Sequence, residues 1–158
     1  NLYKIEQGSF KLEAMPLDFA LVIAKVVASV KTLASQLGVR LEWSPPDREI
    51  RFLGDEMLCH SLLSNLLRNA VEAAPEGSTV TIEINAGDDA VVTIHNQGEI
   101  PEDIRDRFFE KYATSGKKQG TGLGTYSARL MAEVQNGRIE FDSSAEAGTT
   151  LKVSLPLS

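Results

Sequence analysis

The chain is short of the residues on which several kinds of chemistry depend. It has one cysteine, Cys59, so no disulfide framework can form within it. Cys59 falls in an apolar helical stripe and reads as a small buried hydrophobe, which fits a reducing, cytoplasmic setting. The two histidines, His60 and His95, are too few and too far apart to build a zinc site. Basic residues are in deficit: 16 Lys and Arg stand against 22 Asp and Glu, a net charge of −6. Nucleic acid and anionic membranes call for a basic face, so neither is expected as a partner. No apolar run approaches the roughly 20 residues of a membrane span, and the longest, Phe19 to Ala28, is interrupted by Lys25. No signal peptide is recognisable, and the chain opens on Asn1 rather than methionine, so it reads as a fragment. No serine or cysteine sits in a nucleophile elbow, and no P-loop ends in Gly-Lys-Ser/Thr. What is present, 42% apolar and 24% charged residues in 158, describes one ordinary globular domain with a proper core.

Periodicity places the elements. Residues 1–17 are mixed, with a short edge strand expected at Phe10 to Glu13 and Pro16 near the end. Asp18 is a good N-cap for a helix whose stripe is Phe19, Ile23, Val26, Val30, Leu33 and Leu37, closed by Gly38. Val39, Leu41 and Trp43 alternate, as do Ile50 and Phe52 beyond the turn Ser44-Pro45-Pro46-Asp47, which predicts a hairpin. A second long helix runs from Asp55 to about Ala74, with Cys59, Leu62, Leu63, Leu66, Leu67, Ala70 and Val71 on its apolar side. Val80, Ile82 and Ile84 then pair with Val92 and Ile94 across Gly87-Asp88-Asp89. A third helix, apolar at Tyr126, Leu130, Met131 and Val134, precedes the strands around Ile139 and Phe141 and around Leu151, Val153 and Leu155. Helices alternating with strand pairs imply an α+β fold, with a mixed sheet and the helices on one face.

Four groups of residues could carry chemistry. Asn65 and Asn69 are four apart, so both side chains lie on one helix face, opposite the leucines and flanked by Ser61, Arg68 and Glu72. They are either a solvated polar face or a pair of hard, neutral oxygen ligands for Mg²⁺ that arrives with a triphosphate. Asn96 shares the strand parity of Val92 and Ile94 and should point into the layer between sheet and helices. There it either caps the turn at Gln97-Gly98 or meets the edge of an adenine. Thr149 has the parity of Leu151, Val153 and Leu155, which aims its hydroxyl inward beside the same layer. Finally, Phe108 to Gly124 joins an aromatic anchor to a small, basic segment that closes on Gly120-Thr121-Gly122-Leu123-Gly124 at a helix start. Unpaired first-turn N–H groups and close backbone approach suit an anion there, so the stretch reads as a phosphate-binding lid.

Taken in order, these stretches resemble the catalytic ATP-binding domain of bacterial sensor histidine kinases. Its GHKL or Bergerat fold is shared with gyrase B, MutL and the heat-shock chaperone ATPases. Asn65-Leu66-Leu67-Arg68-Asn69-Ala70 looks like the N box, and Ile94-His95-Asn96-Gln97-Gly98-Glu99-Ile100-Pro101 like a variant G1 box. Phe108-Phe109-Glu110-Lys111-Tyr112 is similar to the F box, Gly120 to Gly124 to the G2 box, and Gly148-Thr149-Thr150 to the last-strand motif. The resemblance implies a two-layer α/β sandwich for residues 18–158, with a mostly antiparallel sheet of about five strands under about three helices. Residues 1–17 would then be the end of a preceding dimerisation helix and its linker.

By the same resemblance, Asn69 would bind Mg²⁺ with Asn65 alongside on the phosphates, and both would be catalytic with Lys111. Lys111, Tyr112, Thr114, Ser115, Lys117 and Lys118 would line the ATP site from the lid. Gly120, Thr121, Gly122, Leu123 and Gly124 would seat the phosphates, with Asn96, Gly98 and Thr149 at the adenine end. The implied reaction transfers the γ-phosphate of ATP to a histidine on a separate dimerisation domain, which passes it to the receiver domain of a response regulator. The whole protein would be a homodimer with this part in the cytoplasm. The chain lacks the acceptor motif, so alone it should bind nucleotide without autophosphorylating. The usual G1 box is Asp-x-Gly-x-Gly; here Asn96 replaces the acid, one residue is missing, and Glu99-Ile100 stand where the second glycine would fall. Loss of charge assistance weakens that hydrogen bond roughly twofold, so weaker nucleotide binding is expected, and a degenerate nucleotide-sensing or docking module is the alternative. A water-activating ATPase is disfavoured, because the amide of Asn65 cannot serve as a general base.

Overall fold

A computed structural model describes residues 2–110 and 124–158. Among these, the chain forms α1 (Leu2–Glu6), β1 (Met15–Asp18), α2 (Phe19–Gln36), β2 (Arg40–Trp43), β3 (Arg51–Gly54) and α3 (Glu56–Ala73). There follow β4 (Thr79–Ala86), β5 (Asp89–Asn96), α4 (Glu102–Arg105), α5 (Gly124–Val134), β6 (Arg138–Ser144) and β7 (Gly148–Pro156). A five-stranded sheet has the order β2-β4-β5-β7-β6; β2 runs parallel to β4 and the other neighbours are antiparallel. The expected α+β sandwich is therefore present.

The layers follow from side-chain parity. Along β5, Ala90, Val92, Ile94 and Asn96 are buried, while their neighbours are only half covered. Val80, Ile82, Ile84, Leu151, Val153 and Leu155 join them beneath the leucines of α3. Both long helices start on the aspartates expected: Asp18 accepts from Ala20 N–H at 2.9 Å, and Asp55 accepts from Leu58 N–H at 3.0 Å. Gly38 ends the α2 segment with φ of 69°, letting Val39 N–H return to Ala34 C=O at 2.9 Å. By length and composition α2 could cross a membrane. Its Phe19, Ile23, Val26 and Val30 side is instead packed into the core, with the Phe19 and Phe52 rings 4.6 Å apart.

Three expectations are corrected. The first strand is Met15–Asp18, not Phe10 to Glu13, because the backbone N–H of Glu13 goes to the Asp55 carboxylate and the ladder with Arg51–Gly54 begins only at Met15. Secondly, β2 and β3 do not form a hairpin. β3 pairs with β1 in a separate two-stranded sheet, and β2 adds to the edge of the main sheet beside β4. Pro45 and Pro46 disfavour a tight reversal, and burying Phe52 against Phe19 draws β3 away from the sheet. Thirdly, α5 turns a different side inward. Of the expected stripe Met131 is buried, joined by Thr125, Ser127, Ala128 and Ala132, whereas Tyr126, Leu130 and Val134 are half covered, with the Tyr126 hydroxyl on Glu6 of α1. Small residues there let α5 lie close against α3.

Candidate functional site

The polar side of α3 and the start of α5 meet at Asn65. Its Nδ2 donates to Ser127 Oγ at 3.4 Å, and Ser127 Oγ donates to Gly124 C=O at 3.3 Å. With its nitrogen so engaged, the carbonyl oxygen of Asn65 is left for another partner. Asn69, one turn further on, is half buried, and its side chain makes no hydrogen bond among the described residues. The Asn65 oxygen thus stands near the N-terminus of α5, where helical N–H groups favour an anion, and Asn69 follows on the same face of α3. On its other side Asn65 borders an open groove of about 660 Å³ between α2 and α3, which also takes in Lys25, Ser29, His60 and Arg68.

At the far end of the layer, Asn96 and Thr149 are direct partners in the β5/β7 ladder and only 2% and 4% exposed. Asn96 Oδ1 accepts from Gly98 N–H at 2.7 Å, so the turn-cap reading holds. The orientation of this amide is set by its neighbour, since an N–H can face only the oxygen. Thr149 Oγ1 donates to Gly98 C=O at 2.8 Å and lies 2.8 Å from Ser143 Oγ. Because the Thr149 proton is committed to a carbonyl, Ser143 must donate to Thr149, while Ser143 itself accepts from Ile100 N–H at 2.8 Å. Both N–H and C=O of Gly98 are held in this way. A β-carbon on Gly98 would lie 2.2 Å from Ala73 C=O, so the turn after β5 sits directly on the C-terminal end of α3. Ser143 carried no signal in the sequence, since it lies on a strand whose register with β7 is visible only in the folded chain.

The segment between Phe108 and Thr125 is bridged at its ends. Thr125 Oγ1 donates to Phe108 C=O at 2.9 Å, joining the residues on either side of it. Phe108 and Phe109 pack on Phe141 of β6 with ring centroids 5.0 and 5.6 Å away. Lys111, Tyr112, Thr114, Ser115, Lys117, Lys118, Gly120, Thr121, Gly122 and Leu123 lie outside the described residues; Gly124 is the exposed first residue of α5.

One buried side chain links α3 to the end of α5 and was not anticipated. Gln135, 2% exposed, accepts through Oε1 from Asp55 N–H at 2.7 Å and from Cys59 Sγ at 3.1 Å, and donates through Nε2 to Met131 C=O at 2.8 Å. Burial pushes the Cys59 thiol up to about 12, so it stays protonated and chemically quiet. No cluster of three or more His, Cys, Asp or Glu residues among those described could hold a metal by itself. The donor set of Asn65 and Asn69 fits a hard cation only if a ligand brings further oxygens, as a triphosphate would.

Comparison with known proteins shows the family. Residues 54–158 match the family model described as histidine kinase-, DNA gyrase B- and HSP90-like ATPase. Sporulation kinase A of Bacillus subtilis (strain 168) is 36% identical over 142 residues, covering 89% of this chain and 23% of that protein. The sensor protein IrlS of Burkholderia pseudomallei (strain K96243) is 32% identical over 162 residues, covering 98% of this chain and 34% of that protein. The chain thus spans about a quarter to a third of the length of such relatives. Among solved structures, the catalytic domain of histidine kinase ThkA superposes with a TM-score of 0.80 at 24% identity, over 92% of this chain and 96% of that one. Full-length ShkA in complex with AMPPNP gives 0.81 at 20% identity, over 99% of this chain and 34% of that one.

Proposed function

Since the chain belongs to the histidine kinase-, DNA gyrase B- and HSP90-like ATPase family, we propose that it is the ATP-binding catalytic domain of a sensor histidine kinase. Its γ-phosphate would go to a histidine on a separate dimerisation domain of the same homodimer, and from there to an aspartate of a response regulator's receiver domain. Residues 1–17 would end that dimerisation segment, and the domain would work on the cytoplasmic side. The observation that carries the reading is the Asn65 amide held beside the start of α5, with Asn69 on the same face of α3.

In this reading Asn69 and Asn65 would hold Mg²⁺, which when bound would supply charge neutralisation at the transferred group. The chain's own residues position the rest. Ser127 fixes the Asn65 amide, while Thr125 and the Phe108-Phe109-Phe141 cluster tie the lid to the body. Lys111, Lys117 and Lys118 would bring positive charge from the lid. Asn65 is neutral and cannot take a proton from water, which favours transfer to a protein nucleophile over hydrolysis.

The second reading, a degenerate nucleotide-sensing or docking module, follows from the altered position itself: the Asn96 oxygen accepts from Gly98 N–H and lacks the charge an aspartate would bring to an adenine amino group. Titration of the chain with a non-hydrolysable ATP analogue, with and without Mg²⁺, separates the two. Binding should tighten at least about tenfold with Mg²⁺, and that gain should vanish in Asn69→Ala. No binding at millimolar nucleotide would leave only the second reading.

A further inference from the structure

The link from Asn65 through Ser127 to Gly124 carries an inference about how the cation end of the site is set, resting on the nucleotide-site reading above. An asparagine amide is nearly symmetric in shape, but its oxygen can ligate a hard cation and its nitrogen cannot. Which of the two turns outward is decided by what holds the other. At Asn65 the holder is Ser127, a buried residue of α5. A hydroxyl can donate or accept, so Ser127 alone would not choose between the two ends of the amide. Gly124 C=O makes the choice.

A carbonyl oxygen only accepts. The Ser127 proton is directed back to Gly124 C=O at 3.3 Å, within the first turn of its own helix. Ser127 Oγ then offers Asn65 only lone pairs, and it receives Nδ2 at 3.4 Å. Nδ2 therefore faces α5 and Oδ1 faces away from Ser127. Turning the amide over would set Oδ1 against the Ser127 oxygen, two acceptors with no proton between them. Both bonds are at the long end of the range, so the hold is modest. Asn69 has no such holder, since its side chain makes no hydrogen bond among the described residues.

We propose that Ser127 is a positioning residue for metal-dependent nucleotide binding: oriented by Gly124 C=O, it turns the Asn65 oxygen outward ahead of the cation, while the Asn69 amide takes up its direction only when the cation arrives. Ser127 acts through Asn65, because its hydroxyl is engaged with Asn65 and Gly124. The hold lasts only while the first turn of α5 is formed, since the orienting carbonyl belongs to the first residue of that helix. Cation affinity and the folding of that turn are thus coupled through one hydroxyl.

The test is titration of the 158-residue chain with the imidotriphosphate of adenosine, with and without Mg²⁺. Ser127→Ala should lose about three- to fivefold more affinity with Mg²⁺ than without it, because only the cation needs the oxygen. On an Asn65→Ala background the same substitution should cost nothing further. A loss no larger with Mg²⁺ than without it in folded Ser127→Ala, or a loss that persists on the Asn65→Ala background, would overturn the proposal while leaving the nucleotide site standing. The unsubstituted chain decides the matter even if Ser127→Ala does not fold. Nitrogen-15 relaxation of its Asn65 side-chain amide, without nucleotide, should give an order parameter of about 0.8, and a value below about 0.6 would show that nothing holds the amide. Should the unsubstituted chain bind no nucleotide, or bind it equally with and without Mg²⁺, the metal-nucleotide reading fails and the positioning with it.

Discussion

Replacing Gln135 with leucine tests whether one buried amide joins the two helices that frame the site. Gln135 N–H bonds to Ala132 C=O at 3.1 Å, closing the last turn of α5 tightly, and the side-chain Nε2 bonds Met131 C=O at 2.8 Å. At the other end, Oε1 receives Asp55 N–H, the backbone donor of the residue that caps α3. Leucine would fill a similar volume but orphan both backbone groups. Each buried unsatisfied group costs about 1–3 kcal/mol. The apolar replacement recovers the cost of desolvating the amide, so a net loss of about 2–4 kcal/mol is expected. The Cys59 contact adds little, because a thiol is a weak donor. Urea unfolding followed by the fluorescence of the single tryptophan, Trp43, and by circular dichroism should show this as a lower midpoint with unchanged slope. In a domain of this size the melting temperature should drop by roughly 5–15 °C. A loss below about 1 kcal/mol would mean that water or a backbone shift satisfies Asp55 N–H, and would refute the argument.

Two further outcomes follow from single groups. Cys59 titrates at about 12 in the fold against 9.0 ordinarily, so the native state keeps a proton that the unfolded chain releases. Its contribution to stability is complete below pH 9 and is lost as pH rises toward 12, about 1.4 kcal/mol being gone by pH 10. Cys59→Ala should flatten that alkaline slope, and an identical slope in both proteins would count against it. Gly98→Ala should cost at least about 2 kcal/mol, because the new methyl group meets a backbone carbonyl that has little room to yield. Unchanged chemical denaturation in that variant would show that the turn is looser than its contacts imply.

Local pattern was enough for much of this protein. The leucine stripe of α3 lies where the helical period placed it, and the β4–β5 hairpin closes at Gly87 to Asp89 because turn residues and alternation agree. The inward aim of Asn96 and Thr149 followed from strand parity, which is a property of the extended backbone. Those features depend on neighbours within a few residues along the chain. The partner of β3 did not, because alternation says which side of a strand is buried and nothing about which strand lies beside it. The inward side of α5 was likewise decided by a close fit of small residues against α3, with α1 covering Tyr126. Gln135 reaches Asp55 across 80 residues, and Ser143 reaches Ile100 across 43. Most consequential is the direction of the Asn96 amide. The sequence alone placed an amide at the end of β5. Only the packing of Gly98 onto α3, and its bond from Thr149, decided that the amide oxygen is taken by Gly98 N–H.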